Sequence, residues 1–402
     1  MLGIRDDLMA PEVLTDPYSY YGRLREVDPV HWNLRWKGWL ITRYEEVVRI
    51  FRDHEHFSSE RMTALHGELS EADRERFSLI LEVLSRWFVF RDPPFHTRLR
   101  MLTNKYFTPK AVERWRPLVR SIVLDLLERA ERKGGMDAVW DFGFIIPVSV
   151  IADILGVPQQ DRDHIKEWSD KLGQLFFIRA NDPKRRETAY EGLKALVEYM
   201  EALVRERRAR PRDDFISTLL TLQGPEGVFP EEVVPTCILL LFAGHETTTN
   251  LIANGTLALL RHPDQWERLR QEPGLAPTAV EELLRYDGPV KATMRWAKED
   301  AEIGGKRVRK GDRMLLVLAA ANRDPAQFPN PEALDLSRSP NHHVAFGHGI
   351  HMCLGANLAR QEGQEAFLAL TQRFPGLRLA TDRLNYQPTI VARALQSLPV
   401  AF

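Results

Sequence analysis

Residues 346 to 355 read Phe-Gly-His-Gly-Ile-His-Met-Cys-Leu-Gly, and they set Cys353, one of only two cysteines, among glycines just before a helical pattern. A helix start offers unpaired N–H groups and the positive end of the macrodipole, both of which favour a negative sulfur. Such settings lower a thiol pKa from its free value of about 8.5, so Cys353 suits permanent ligation of a metal such as iron. Gly349 and Gly355 permit tight turns and let backbone lie against a flat ligand with no Cβ in the way, and Phe346 supplies an apolar wall. Two other readings stand beside this one. A lone cysteine is often a small buried hydrophobe, and His348, His351 and Cys353 together raise zinc. Structural zinc sites usually gather four ligands, often paired cysteines, and the second thiol, Cys237, lies far away in an apolar run.

A second polar group interrupts an apolar stretch. Ala243-Gly244-His245-Glu246-Thr247-Thr248 sits inside a helical pattern from about Glu231 to Leu260, flanked by Ile-Leu-Leu-Leu-Phe and Leu-Ile-Ala. Interior Gly costs about 1 kcal/mol relative to Ala, and Thr can turn its hydroxyl toward a carbonyl one turn earlier, so a local helix defect is expected here. Taken alone the patch also reads as the polar face of an amphipathic helix. In these apolar surroundings, however, an acid and a hydroxyl face a buried site, where polar groups need partners. The third signal, Glu282-Leu-Leu-Arg285, puts an acid and a base on one helix face and by itself is an ordinary surface pair.

These residues need elements to carry them. Hydrophobic spacing predicts helices over 17–27, 44–53, 96–106, 110–133, 145–155, 160–177, 185–208, 212–222, 231–261, 263–271, 276–286 and 354–373. Strand signals are fewer: 31–32, 38–42, 293–297, 306–308, 313–318 and the tail from Leu377, several bounded by turns such as Lys-Gly-Asp at 310–312. The expected class is mainly α with small β-sheets. No Gly/Ser linker, low-complexity tract or repeat divides the 402 residues, so one continuous domain, 1–402, is expected. Two cysteines exclude a disulfide framework and suit a reducing cytoplasm. No stretch reads as the roughly 18 uncharged apolar residues of a membrane span, and a formal charge of −1 argues against bulk binding to nucleic acid.

The ten residues around Cys353, with the Glu246–Thr247 and Glu282–Arg285 pairs upstream in this order, resemble the cytochrome P-450 superfamily, and the resemblance covers nearly the whole chain. It implies the α-rich triangular prism of that fold, with haem b between the long central helix and the helix that follows the Cys ligand. It makes Cys353 the axial thiolate of the haem iron, with Phe346, Gly347, Gly355 and Ala243 against the cofactor. Thr247 falls at the alcohol position and Glu246 at the acid position that supply protons for oxygen activation. His96, Arg100, Arg295 and His351 fall where haem propionates are neutralised, with Arg98 read as solvent-facing. Glu282 and Arg285 become buried structural partners. The family often adds another arginine where this chain has Ala333, so Arg323 or Arg338 must serve or the network is smaller.

By the same resemblance the substrate contacts are Trp87, Val89, Phe176, Phe177, Leu239, Phe242, Ala243, Val290 and Ile390, residue types that core packing uses equally. The implied activity is a dioxygen-dependent monooxygenase hydroxylating or epoxidising an apolar small molecule of terpenoid, steroid, fatty acid, polyketide or aromatic class. The alternatives are a peroxide-driven peroxygenase and a non-catalytic haem-based binding or sensor protein, with a zinc hydrolase more distant. Lys291 stands in a loop, where it could meet a carboxylate but is ordinarily just solvated. Electrons must come from a ferredoxin or flavodoxin with its NAD(P)H-dependent reductase. Lys105, Lys110, Arg114 and Arg116, against the lone acid Glu113, offer such a partner a basic face, and no membrane anchor is expected.

Overall fold

Along residues 38–41 and 314–317 apolar residues follow one another without a polar break, the pattern of strands buried on both faces. In the computed structural model these are central strands. The structure describes residues 4–62, 67, 70–177, 183–224 and 227–402, with backbone only for 175–177 and 183. The chain divides into two compact units, Met1–Ser58 with Arg116–Ile146 and Thr247–Phe402, and Ser59–Trp115 with Pro147–Glu246.

The first unit holds a five-stranded sheet. Its strands are β1 (Val30–Asn33), β2 (Gly38–Ile41), β3 (Phe57–Ser58), β4 (Thr293–Ala297) and β5 (Arg313–Leu316), in the order β1-β2-β5-β4-β3. Only β2 and β5 run parallel, with Leu40 opposite Leu315. Alternation sends Ile41, Met314 and Leu316 to one core, with Val47, Ile50 and Phe51 of the helix Tyr44–Arg52. Leu40, Leu315 and Val317 enter a second core with Tyr21 and Leu24 of the helix Pro17–Val27. Asp16 caps that helix by accepting from the Tyr18 and Ser19 N–H groups, and Pro17 at its first position needs no donor.

Six helices carry residues singled out from the sequence: α1 (Phe95–Asn104), α2 (Arg116–Lys133), α3 (Arg162–Phe177), α4 (Pro230–Arg261), α5 (Ala276–Asp287) and α6 (Ala356–Arg373). In the first unit α6 packs on α2 and α5; in the second, α3 packs along the helix Pro183–Ala209. The predicted helix over 110–133 is broken into Pro109–Val112, a 3-10 turn and α2. Pro117 at the second position of α2 has no N–H to continue an earlier helix, which explains the restart.

Three short strands escaped the sequence reading, Phe57–Ser58, Gly135–Asp137 and Ala301–Ile303, as did the helices Pro11–Thr15, Glu71–Arg76 and Ser78–Ser85. Each is too short to show a period. Ala138–Leu155 is long and apolar enough to cross a membrane, although Asp141 and Asp153 interrupt it. It is 72% buried inside the protein, as a core segment is.

Candidate active site

The Cys353 loop is built by its own backbone. Gly347 N–H donates to Val344 O (2.8 Å), Met352 N–H to Gly349 O (3.1 Å) and Cys353 N–H to Phe346 O (2.9 Å). Gly347 and Gly349 hold φ of 71° and 72°, where L side chains rarely go. A Cβ on Gly349 would also stand 2.4 Å from Phe51 O, so two requirements fix glycine there. The Cys353 side chain is exposed, which removes the buried-hydrophobe reading. Helix α6 starts three residues later, and Gly355, its N-cap, contributes no side-chain cap, leaving the first-turn donors to favour negative charge nearby.

Basic groups of the first unit gather on this loop. Arg295 on β4 is buried, lies 5.1 Å over the Phe51 ring and donates to Met294 O (2.8 Å). Phe51 in turn meets Gly347 and Gly349. His351 is half-buried within the loop. His348 turns to Arg52, accepting from its Nε at 2.9 Å. Among the described residues no three His, Cys, Asp or Glu side chains converge to hold a metal ion, and the zinc reading fails on geometry.

Sequence reasoning missed the support behind Phe346. Arg360 on α6 lies 4.7 Å over its ring and pairs with Glu281 at 2.6 Å, while His343 meets the same carboxylate at 3.1 Å. Burial raises the Glu281 pKa, but hydrogen bonds from His343 and Arg360 outweigh it and hold the carboxyl at about 2. The only signal was the i, i+4 step from Ala356 to Arg360 after the glycines, which many helices share.

Glu282 and Arg285 on α5 are wholly buried and bonded to each other at 2.7 and 2.8 Å. The open question of the third member is settled in favour of Arg338. Its Nε donates to Glu282 at 3.1 Å, and Asp335 N–H (3.0 Å) and Asn341 Nδ2 (3.1 Å) complete the carboxylate's shell. Arg323 goes elsewhere, to Glu332 and to Tyr286 O. Ala333 joins only through its carbonyl, which accepts from Arg285 at 2.9 Å.

In the second unit α1 carries His96, buried, and Arg100, half-buried, one turn apart. Arg98 is a correction. It pairs with the buried Glu232, with Nη1 at 2.9 Å from Oε2, and lies 4.4 Å over Phe229. The buried Glu232 carboxylate also accepts from Phe229 N–H at 2.8 Å, and its charge, held away from water, draws the arginine inward.

The expected defect in α4 is also corrected, since the helix runs unbroken from Pro230 to Arg261. Gly244 serves packing: Ile151 lies 3.1 Å from where its Cβ would be. His245 is buried and its Nδ1 sits 2.8 Å from Leu241 O, so the polar group is satisfied along the helix. Ala243, in contrast, is exposed amid buried Leu241 and Phe242 and bares the helix surface at one point. Burial, and secondly the charge of Asp170 on α3, push the Glu246 carboxyl up to about 8. Thr247 begins the first unit's share of the helix, and its neighbour Thr248 hydrogen-bonds Glu362 of α6, whose carboxyl burial raises to about 8.

Of the residues expected to touch substrate, Trp87 is buried and stacked on Phe242 (5.8 Å) with Phe90 alongside (5.7 Å). Leu239 is buried too, whereas Val89 is 39% exposed. Val290 and Ile390, in the first unit, are partly buried against its two cores. The side chains of Phe176 and Phe177 lie outside the described residues. Lys291 is not the solvated loop lysine expected. It is 2% exposed, donates to Thr389 O at 2.7 Å, and burial lowers its pKa to about 7. The expected basic face is partly used internally: Arg116 and Arg120 both clamp Glu365 at 2.9 Å, and Arg114 packs over Trp115 and Tyr106. Lys105 and Lys110 stay exposed.

Residues 40–392 match the family model described as Cytochrome P450. The chain belongs to the cytochrome P450 family. This P450 is 40% identical over 401 residues to the biotin biosynthesis cytochrome P450 of Bacillus subtilis, covering 99% of each chain. It is 36% identical to the 6-deoxyerythronolide B hydroxylase of Saccharopolyspora erythraea, covering 98% of each. The crystal structure of P450BioI in complex with hexadec-9Z-enoic acid ligated acyl carrier protein superposes with a TM-score of 0.90 at 41% identity, over 97% of this chain and 99% of that one. The fold is therefore the P450 fold, about 60% helical with small sheets, and the activity is that of a haem-thiolate monooxygenase acting with dioxygen, a small-molecule substrate and a redox partner. Its cofactor is haem b. The residues present fit that group. One exposed thiol stands at an uncapped helix start, buried Arg295 and half-buried His351 share its unit as carboxylate partners, and no competing cluster of metal ligands exists among the described residues.

Proposed function

We propose that Cys353 is the proximal thiolate and that Glu246 and Thr247 are the acid and the alcohol that supply protons on the substrate side. The exposed Cys353 thiol, on a loop locked by two left-handed glycines, is the observation that carries this reading. When bound, the haem supplies reductive activation of dioxygen for insertion of one oxygen atom into the substrate. The rest falls to the chain. Phe346, Gly347 and Gly355, beside Cys353, and Ala243 on α4 would contact the cofactor. His96, Arg100, Arg295 and His351 hold the propionates through charge-assisted hydrogen bonds.

A carboxyl raised to about 8 is protonated at neutral pH, so Glu246 has a proton to give. Thr247, its neighbour in the chain, is assigned to pass that proton on. Trp87, Val89, Leu239, Phe242 and Ala243 in the second unit, and Val290 and Ile390 in the first, are assigned to an apolar substrate. The electron donor is an acidic ferredoxin or flavodoxin with its NAD(P)H-dependent reductase, met by Lys105, Lys110 and Arg114 in a cytoplasmic setting. The test is product formed per NAD(P)H consumed in a competent ferredoxin system. Glu246→Gln and Thr247→Ala should lose product and release peroxide, with the haem spectrum intact. Full coupling in Thr247→Ala, with turnover on peroxide alone, would overturn the dioxygen route.

A further inference from the structure

Within the first unit, Lys291 grips Ile390 from both sides. Residues 386–395 fold back on themselves, joined at their base by the Tyr386–Leu395 bridge and by Gln387 N–H donating to Ala394 O (2.8 Å). The tip of this turn docks on residues 289–292. Arg393 N–H donates to Pro289 O (2.8 Å), Val290 bridges Ala392, and Lys291 N–H donates to Val391 O (2.7 Å). There the backbone pairing stops, and the Lys291 side chain carries it further, its Nζ donating to Thr389 O at 2.7 Å. The carbonyls of both residues that flank Ile390 are therefore held by one lysine. Thr389 Oγ1 braces the turn from inside, accepting from the N–H groups of Val391 (3.1 Å) and Ala392 (3.4 Å), and its carbonyl is left to Lys291.

A buried ammonium is an expensive way to hold a carbonyl, because its desolvation is offset only by a close counter-charge. Lys291 has none of its own. The charged groups facing it are Arg393, which repels it, and Asp287 at the end of α5, which attracts it. Asp287 is already engaged by Tyr18 OH (2.5 Å) and Arg393 Nε (3.2 Å), with Arg323 beyond, over the Tyr18 ring. Ala319, whose N–H donates to Lys291 O (3.0 Å), and its neighbours Leu318 and Ala320 bring no charge. A residue that costs the fold this much is retained where it serves function. We propose that Lys291 is a positioning residue for substrate: by clamping the carbonyls on either side of Ile390 it fixes that side chain as a rigid part of the apolar wall. Hydrogen bonds from a charged donor are roughly twice as strong as neutral ones, so the clamp loosens when the ammonium loses its proton. Burial, and secondly Arg393, bring that proton's pKa down to about 7. Lys291 is already out of water, so an apolar substrate strips no hydration from it, and a substrate that needs Ile390 in place binds more tightly to the charged form.

This inference rests on the assignment of Ile390 to substrate made above, and the experiment separates the two. In the haem-loaded enzyme the affinity for 1-dodecylimidazole is divided by that for 1-methylimidazole, each read from the Soret shift as the imidazole ligates iron. The two heads are alike, so the ratio reads the apolar wall. Ile390→Ala should lower it roughly four- to fifteenfold, the worth of one or two methylenes. Lys291→Met should lower it by a similar factor while leaving the fold at least as stable below pH 7, a combination that a merely structural lysine would not give. Hydrogen exchange in residues 387–392 should quicken roughly tenfold in the same variant. In the wild type the ratio should fall as pH rises through about 7, and in Lys291→Met it should stay flat. An unmoved ratio in Ile390→Ala overturns the substrate assignment, and the clamp's purpose with it. A lowered ratio there, beside an unmoved ratio or unmoved exchange in Lys291→Met, overturns the proposal and leaves Ile390 as a substrate contact.

Discussion

Two glutamates, Glu282 on α5 and Glu246 on α4, meet burial in opposite ways. Glu282 is 0% exposed and takes hydrogen bonds from Arg285, Arg338, Asn341 and the Asp335 N–H. Glu246 is half-buried, and among the described residues its electrostatic company is a second carboxyl, Asp170. A carboxylate with every lone pair engaged holds a fold in one arrangement, whereas one left to desolvation keeps its proton near neutrality and can hand it over. The difference teaches that partners, more than burial, separate a structural acid from a chemical one.

The comparison breaks most visibly at Glu282. Glu282→Ala leaves Arg285 and Arg338 as buried cations and should cost about 3–5 kcal/mol, with loss of bound haem, measured by urea unfolding and haem content. Glu246→Gln should do the reverse, cutting coupled product at least about tenfold, read from product and peroxide yields, while the fold gains. The unfolded carboxyl ionises above about 4.5 and the folded one only above about 8, so the folded state binds the extra proton between them and wild-type stability falls as pH rises through that window. The stability gained by the Gln variant should therefore grow from pH 4.5 to 8 and level off above it.

Lys291 sharpens the contrast as a buried cation with a single carbonyl partner. Its folded pKa of about 7 lies below the unfolded 10.5, so the penalty is fully present below pH 7 and fades toward 10.5. Lys291→Met should stabilise by roughly 1–3 kcal/mol at pH 6 and by progressively less at higher pH, measured by denaturation at several pH values. The smallest effect is expected at Arg120, whose side chain is 62% exposed and shares Glu365 with Arg116. Arg120→Ala should shift stability by under about 1 kcal/mol and disappear into the noise at high salt.

Much of this was legible in the chain. The Cys353 loop could be read because glycine, cysteine and a helix start each constrain backbone or charge locally, and the long helices could be read because they repeat. The partner of Glu282 could not be chosen between Arg323 and Arg338, since that depends on where the 322–341 segment turns. Arg98 and Lys291 were misjudged for a related reason: a charged side chain's depth is set by elements remote in sequence, Glu232 for one and Thr389 for the other. The defect expected in α4 failed because propensity is a weak local term that tertiary packing, here Ile151 against Gly244, overrides. Asp170 gave no signal, lying in an ordinary amphipathic helix.

The central claim is that Cys353 presents its thiolate to a haem iron. The direct test is the difference spectrum of the reduced, carbon-monoxide-bound protein, recorded beside Cys353→Ala. The account predicts a strongly red-shifted Soret band in the wild type that is absent from the variant. The same band in both proteins, or no haem absorbance in the wild type after reconstitution with haem, would contradict it.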